Sequence, residues 1–247
     1  LTLAAVTSAT DVLAQHRRGK KEAGPAAEPP VTKKAISLSL KGVTWGQSPA
    51  QVAAVIDRLI DEDYRPRYKE VQPGIQMRNL DAAIAEEKAQ FRRSRIDFGK
   101  LPTGVDATPL RGEYTYNNKE TMMTLSRNGE NVEFFFIQDR LWKMIGEHQL
   151  GDKSPYGKDF QGTLVKFSGM YGVAGRVLQP DGQNRFAVEV DWRDAIHHLR
   201  IIQRSDTAVG VALEDAATWQ ALPSLRTNKP VQDNGIDPAV AAAMRHE

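Results

Sequence analysis

The chain has 247 residues, with 33 basic and 31 acidic side chains, a formal net charge of +2 and no cysteine. This near-neutral balance gives no overall field that would favour nucleic acid or an anionic membrane as partner. The lack of cysteine excludes disulfides, thiolate metal sites and cysteine nucleophiles within these residues. Hydrophobic residues make up 40% and charged residues 26%, as in ordinary globular proteins.

Residues 1–14 are mostly apolar or small. Leu1–Val6 has the character of the end of a signal-peptide core, and within Val12-Leu13-Ala14 a β-branched and a small residue stand where a signal peptidase would cut before Gln15. This pattern favours a signal-peptide remnant and a periplasmic or secreted protein. The alternative is an ordinary amphipathic helix on a cytoplasmic scaffold, because apolar residues also recur there at helical spacing.

Residues 15–34 are basic and then rich in Ala, Pro, Gly and Glu, which predicts a flexible linker. Its basic cluster favours either contact with an acidic partner or, more simply, a solvated tether. The candidate partner-binding residues in this linker are Arg17, Arg18, Lys20 and Lys21.

The globular region is predicted to span residues 35–222. Ile36, Leu38 and Leu40 alternate with polar residues, which predicts a half-buried strand. Ser48 is a natural N-cap, with Pro49 in the first turn, and an apolar stripe follows, so a helix begins there.

A second helix is predicted over residues 76–96, after breaks at Pro66 and at Pro73. It ends in a basic cluster, which the helix macrodipole explains and which partner docking would explain as an alternative. The cluster consists of Arg92, Arg93 and Arg95.

The sequence VEFFFIQDRLWKMIG, residues 132–146, follows the hairpin signal Asn128-Gly129. On a strand, Phe134 and Phe136 would lie on one face and Phe135 on the other, so both faces are apolar. This predicts an interior strand covered on two sides and followed by a turn at residues 138–140. A cofactor pocket would need converging polar groups, which the stretch lacks.

A third helix is predicted between Phe160 and Gly172, followed by three strands that form a meander packed on one side, beginning near Phe186. A short helical turn is expected at residues 218–222, and residues 223–247 are expected to be a flexible tail. Tyr114 and Tyr116 are assigned to an earlier strand by their alternation. The fold class is therefore α+β, with antiparallel meanders packed against helices, in two helix-then-meander halves at 35–150 and 151–222.

Catalytic patterns are missing: the sequence has no nucleophile elbow, no HExxH zinc motif and no P-loop. The one histidine pair is His197-His198, whose rings would point to opposite faces of a strand. His198 could approach Glu189 or Asp191 on the preceding strand, which makes these three residues the candidate metal or general-base site. The simpler interpretation is one surface histidine and one partly buried histidine. No cofactor, metal or catalytic residue is assigned.

The stretch WGQSPAQVAAVID, from Trp45 to Asp57, resembles the opening of small exported bacterial domains of the SmpA/OmlA type, in which a glycine and a Ser or Thr cap precede a helix. The turn IQDRLWKM is similar to hairpins of periplasmic proteins. The chain is longer than that family and contains no cysteine, the residue that carries the family's lipid anchor. The resemblance implies an envelope location and a binding role, with no residue assignments.

Two functions follow as hypotheses. The first is a non-enzymatic periplasmic or secreted accessory protein that docks to a protein partner in a larger cell-envelope assembly, with peripheral association and no membrane span. The second is a small-ligand or metal-binding protein, or a hydrolase, using the sheet surface near His198.

Overall fold

The computed structural model describes residues 28–38, 40–99, 110–127, 129–181 and 185–228. In chain order the elements are α1 (Pro49–Tyr68), α2 (Ile75–Arg93), β1 (Ile96–Asp97), β2 (Glu120–Arg127), β3 (Glu130–Ile137), β4 (Arg140–Gln149), α3 (Phe160–Tyr171), β5 (Arg176–Leu178), β6 (Glu189–Arg193), β7 (His197–Ser205), β8 (Ala208–Asp215) and α4 (Ala216–Leu225).

All eight strands form one antiparallel sheet in the order β1-β2-β3-β4-β8-β7-β6-β5. Each meander ends at the middle of the sheet, where β4 and β8 pair from Lys143–Glu214 to Gln149–Ala208. The predicted α+β class with meanders packed against helices is confirmed, and the two β-rich halves share a single sheet.

The helix starts follow from local capping. Ser48 and Gln51 form a capping box at the start of α1, so each side chain satisfies a backbone N–H of the other residue. Asp159 caps α3, and Gly172 ends it in the left-handed conformation at φ 72°.

Strand β3 is the interior strand that the phenylalanine run predicts. Phe134, Phe135 and Phe136 are all fully buried. Phe134 and Phe136 pack into the cluster beneath α1 and α2, while Phe135 packs into the cluster on the opposite face. The chain reverses after β3 through Gln138 and Asp139, which both have positive φ.

Helices α1, α2 and α3 cover one face of the sheet, called here the apolar face. Val52, Ile56 and Ile60 of α1 and Phe91 of α2 are buried in one cluster on this face. Phe160 and Phe167 of α3 belong to a second cluster, together with residues of β6, β7 and β8. Helix α4 lies on the opposite face, where Leu222 and Leu225 pack against its apolar part.

Residues 36–40 were predicted as a strand, and this is wrong. Ile36 and Leu38 turn inward as the alternation predicts, but the described residues of the segment pair with no strand. Leu38 packs against both clusters of the apolar face. The alternating apolar residues of this segment therefore fill the junction between the helices and the sheet without forming a strand.

Tyr114 and Tyr116 were also predicted on a strand, and they lie instead in the loop before β2. Phe98 stacks on Tyr114 with ring centroids 3.8 Å apart and meets Tyr116 edge to face at 5.9 Å. Aromatic packing holds this loop onto the sheet, so the alternation of Tyr114 and Tyr116 with polar residues does not indicate a hydrogen-bonded strand.

Element ends differ from the predictions where proline or a short strand is involved. Helix α1 continues past Pro66 to Tyr68, because a proline in the last turn removes only one backbone bond. Strand β5 was missed, since three residues show no period, and Phe186 lies before β6 and is 40% exposed. Helix α4 includes Pro223 and ends at Leu225, so ordered structure continues past the predicted start of the tail.

Candidate functional site

The site is a cluster of charged side chains on the sheet face beneath α4, called here the charged face. Successive strands place Lys143 of β4 beside Glu214 of β8, and Glu214 beside His198 of β7. Two residues further along β7, and therefore on the same face, Arg200 lies beside Asp191 of β6. These positions alternate with core residues, so the strands that build the core also align the charges.

His198 is fully buried between two carboxylates. Its Nδ1 lies 2.6 Å from Glu214 Oε2, and its Nε2 lies 3.1 Å from Asp191 Oδ2. Burial alone would lower the pKa of His198, but the hydrogen bonds to Asp191 and Glu214 outweigh it and raise the pKa. The ring of Trp219, from α4, covers the imidazole with centroids 4.0 Å apart. The geometry fits an imidazolium that donates both N–H groups.

Arg200 joins three carboxylates. Its guanidinium lies 2.7 Å from Glu214 Oε1, 3.1 Å from Glu189 Oε2 and 3.3 Å from Glu113 Oε1. Burial alone would raise the pKa of Glu113, but Arg200 and Lys143 outweigh it and lower the pKa to about 2. Burial raises the pKa of Glu189, because Arg200 offsets only part of the desolvation.

Lys143 is 1% exposed, and its Nζ donates to Glu113 Oε2 at 2.9 Å and to the Glu113 carbonyl oxygen. The ammonium also lies 4.5 Å from the ring centre of Phe135 and 4.6 Å from that of Trp142. Burial lowers the pKa of Lys143, and Glu113 offsets only part of that effect. The lysine therefore fixes the Glu113 loop to the sheet from below.

The end of α4 is fastened over the site by a second ion pair. Arg226 donates to both carboxylate oxygens of Glu120, at 2.9 and 2.8 Å, and to the Glu113 carbonyl at 3.2 Å. The Asn118 side chain donates to the Asn228 carbonyl and accepts from the Asn228 N–H, and the Asn228 side chain donates to the Asn117 carbonyl. The helix and the Glu113 loop thus close together over the charged face.

A cavity of about 240 Å³, partly open to solvent, lies beside this closure. Its charged walls contain five lysine or arginine side chains, four carboxylates and His198, and its apolar walls come from Trp142, Leu178, Trp219 and Leu222. The cationic residues are Lys143, Arg176, Arg185, Arg200 and Arg226, and the carboxylates are Glu113, Glu189, Asp191 and Glu214.

One wall group lacks a hydrogen bond. The indole N–H of Trp142 is buried and has no partner among the described residues. A buried donor left unpaired costs about 1–3 kcal/mol. The nitrogen itself has almost no accessible surface, so this unsatisfied donor lies within the packing behind the cavity wall.

The candidate site named from the sequence is brought together in part. His198 and Asp191 are in direct contact, whereas Glu189 joins them through Arg200 and does not approach His198. In the described part of the chain, no group of three or more His, Asp or Glu side chains has the arrangement that could hold a metal ion.

The expectation of one surface histidine is wrong, and so is that of a meander packed on one side. His197 and His198 are both buried, and the polar residues of β6 to β8 that alternate with the core are buried beneath α4. From sequence alone, a polar residue that alternates with apolar ones is expected to face solvent. Here oppositely charged side chains from neighbouring strands take the place of water.

Of the basic residues proposed for partner binding, the three that the structure describes do not line the cavity. Arg92 pairs with Asp57, Arg93 with Glu86, and Arg95 with Asp97 and Asp139. These arginines are exposed but are used in ion pairs within the chain. The four basic residues of 17–21 lie outside the described residues.

Several site residues were not recognised from the sequence, among them Glu113, Lys143, Arg176, Glu214 and Arg226. Lys143 carries a signal that could have been used, because it is a lone charge within the apolar strand LWKMI. Arg176 pairs with Asp191 at 3.0 Å from a three-residue strand, and Arg226 and Glu113 lie in segments with no periodic pattern. Only the folded chain brings these residues together.

Comparison with protein-family models, with curated proteins and with solved structures gives no match. Within the described ranges, none of the helices combines the length and the apolar character needed to cross a membrane. The function must therefore be argued from the geometry of the charged face.

Proposed function

We propose that this chain is a non-catalytic binding protein whose ligand site is the cavity beneath α4. The proposal depends on one observation: the cavity walls are built from buried charged side chains, whose burial is unfavourable in free energy. Ion pairs buried as deeply as Glu113–Lys143 and Glu214–His198 seldom stabilise a fold more than apolar residues of the same volume would. Polar walls around a cavity are better explained by recognition of a ligand than by stability.

The bonding of His198 supports binding without catalysis. A general base needs a free nitrogen within reach of a proton on the substrate. Both ring nitrogens of His198 are already used, one by Glu214 and one by Asp191. The described cavity walls also contain no serine, threonine or tyrosine hydroxyl that could act as a nucleophile.

The size of the cavity limits the ligand. Drug-sized ligands occupy pockets of roughly 300–1,000 Å³. At about 240 Å³ this cavity is smaller and suits a compact molecule with a polar head group and a short apolar body.

The test uses three small molecules that share a phenyl ring and differ in head group: benzoate, benzylamine and benzyl alcohol. Titration calorimetry with the full chain is expected to show binding of at least one of them. The variant Leu222→Trp, which fills the cavity, is expected to abolish it, since Leu222 lines the wall. Leu225→Trp is the matched control, because Leu225 lies in the same helix but does not line the cavity. Failure of all three probes to bind would refute the proposal.

A second candidate function is docking, as a periplasmic or secreted accessory protein, to a larger cell-envelope assembly. The observation that favours it is the sheet edge at β5, which no other described strand pairs with on its outer side. Val177 there is 56% exposed, and Phe186 nearby in sequence is 40% exposed. An edge strand of this kind can accept an extended segment of a partner. The hypothesis of export is based on residues 1–14, which lie outside the described residues.

Docking is tested by affinity purification from cell-envelope extracts, with the protein itself and with a variant that carries a charge on the β5 edge. Val177→Lys is expected to remove a specific partner, because lysine on an edge strand blocks pairing. Val165→Lys on α3, where the side chain is 73% exposed, is the control and is expected to retain the partner. Sequencing the N-terminus of the protein from its native cells tests the export itself.

A further inference from the structure

Resting on the proposed function, we infer that α4 is a lid over the cavity, hinged where it leaves β8 and latched at its other end by the ion pair between Arg226 and Glu120. The helix carries Trp219 and Leu222, and Arg226 follows directly after it. All three side chains line the cavity. A movement of α4 away from the sheet therefore removes part of the cavity wall.

The innermost groups of the cavity are closed to a ligand while α4 is in place. His198, Lys143 and Glu214 line the cavity, yet they are only 1%, 1% and 2% exposed. The ring of Trp219 lies over the imidazole of His198, with centroids 4.0 Å apart. A side chain that a water molecule can hardly reach is out of reach of any larger molecule. A ligand that bonds to these groups must therefore enter while Trp219 is displaced.

Helix α4 buries few of its side chains, in contrast to α3 on the other face of the sheet. Ala216 is the one buried residue among the ten of α4, whereas four of the twelve residues of α3 are buried. Trp219, Leu222 and Leu225 face the sheet but remain partly exposed. Pro223 has no N–H, so the helix lacks the backbone bond to the Trp219 carbonyl. Segments with few buried contacts can open separately from the rest of a fold.

The two ends of α4 are held in different ways. At its start the chain continues directly from β8, with Asp215 as the N-cap of the helix. There the Ala216 N–H donates to the Ile196 carbonyl at 2.9 Å. The far end is bound through the side chain of Arg226 to Glu120, which lies 106 residues away in the chain. The first end therefore acts as the hinge and the second as the latch.

The latch can open without leaving its carboxylates unpaired. Glu120 also accepts from the Thr115 N–H at 3.2 Å and from the Thr115 hydroxyl. Glu113, whose carbonyl accepts from Arg226, keeps its ion pair with Lys143 at 2.9 Å. The side chain of Arg226 is 19% exposed and passes into water when the helix moves. Both sides of the latch thus have partners in the open state, which keeps the open state within reach.

Hydrogen exchange of the backbone amides, followed by NMR on the full chain without any ligand, tests the lid. The α4 amides are expected to exchange at least about tenfold faster than those of residues 209–213 in β8, because opening of α4 leaves the sheet folded. Arg226→Gln is expected to speed the α4 amides about tenfold, since its charge-assisted bonds stabilise only the closed state.

Arg127→Gln is the matched control for the latch variant. The side chain of Arg127 is 21% exposed and forms ion pairs with Asp63 and Glu87. Those pairs stay intact when α4 opens, so exchange of the α4 amides should be unchanged in this variant. Unchanged α4 exchange in Arg226→Gln, or an equal increase in Arg127→Gln, would overturn the latch.

A substitution in the apolar face separates opening of the lid from unfolding of the whole chain. Ile60→Val trims a fully buried side chain of α1 and is expected to speed the β8 amides about fivefold. The α4 amides should keep their rate, because the packing of Ile60 is the same whether α4 is closed or open. An equal increase in α4 and β8 would show that α4 opens only when the whole chain unfolds, and the lid would be overturned.

A second latch variant keeps the test decisive if Arg226→Gln does not fold. Asn228→Ala removes an exposed side chain that donates to the Asn117 carbonyl at 2.6 Å, and it is expected to speed α4 exchange about threefold. None of these measurements uses a ligand, so their outcome is independent of the probe titrations. A helix that never opens separately overturns the lid even if a probe binds. Opening of α4 in a chain that binds no probe rejects the proposed ligand site, and with it the role of the lid in admitting a ligand.

Discussion

The two faces of the sheet are built from the same strands, yet they are held to their helices in different ways. On the apolar face a row of neighbours runs from Phe134 through Met144, Leu213 and Leu199 to Trp192. One residue along each strand, the row on the charged face runs through Phe135, Lys143, Glu214 and His198. A shift of one residue therefore separates a hydrophobic core from a buried ionic network.

This difference shows that alternation of residue types along a strand identifies which side chains share a face of the sheet. It does not show whether that face is covered by solvent or by another part of the chain. Period two in β6 to β8 shows which side chains lie together, and on both faces those side chains are buried. On the apolar face, burial itself supplies the stabilisation, at roughly 25 cal/mol for each Å² of apolar surface. On the charged face, burial is unfavourable, and each charge depends on its partners.

The largest expected effect comes from opening a cavity in the apolar face. Phe134→Ala is expected to lower the free energy of unfolding by about 4 kcal/mol, because Phe134 is fully buried beneath α1 and α2. Chemical denaturation measures this loss. Val165→Ala, in which the side chain is 73% exposed, is the control and should change stability little. A loss below about 1 kcal/mol for Phe134→Ala would show that the apolar face does not provide the core.

A smaller but still large effect is expected when one member of the ionic network is removed. Arg200→Met is expected to cost about 3 kcal/mol at neutral pH, because Glu113, Glu189 and Glu214 lose a shared cation while they remain buried. The cost should shrink in acid, where these carboxylates take up protons. Denaturation at neutral and at acid pH measures both effects.

The control for that experiment is an arginine at the surface. Arg93→Met breaks the pair with Glu86, in which both side chains are more than half exposed, and is expected to cost less than about 1 kcal/mol. If Arg200→Met and Arg93→Met cost the same, the charged face would contribute no more than an ordinary surface ion pair.

The sequence predicted the apolar face well because its signals are local. The N-cap Ser48 followed by Pro49, the glycine after α3, and the alternation of Phe134 and Phe135 each depend on a few neighbouring residues. The α+β class, three of the helices and the central strands follow from such signals. The errors lie where a segment packs without a period, as at Ile36 and at Tyr114.

The charged face was predicted only where its residues were close in sequence. His198 and Asp191 are seven residues apart and lie on paired strands, so their contact could be inferred. Glu113 and Arg200 are 87 residues apart, and Arg226 and Glu120 are 106 apart. No local pattern connects these pairs, because their contact depends on the pairing of β4 with β8 and on the position of α4.

The smallest expected effect tests a carboxylate on the charged face that lacks a close cation. Glu133 is 6% exposed, its Oε2 has no hydrogen-bond partner among the described residues, and burial with the nearby Glu147 raises its pKa to about 7. An acid whose pKa is raised in the fold costs nothing below its unfolded pKa of about 4.5. It becomes destabilising as the pH rises towards 7, because the folded chain must then bury a charge.

Glu133→Gln is therefore expected to raise the free energy of unfolding by about 2 kcal/mol at pH 8, after allowance for solvent screening, and to change it little at pH 4. Denaturation at the two pH values measures the difference. Glu130→Gln is the matched control, because Glu130 lies on the same strand with a side chain that is 66% exposed, and its replacement should change stability little at either pH. A Glu133→Gln variant that loses stability at pH 8 would mean that this carboxylate has a cationic partner, and that the charged face is compensated at every position. A gain in stability confined to high pH would instead show that the buried carboxylates near the cavity have cationic partners, whereas Glu133 at this end of the sheet has none.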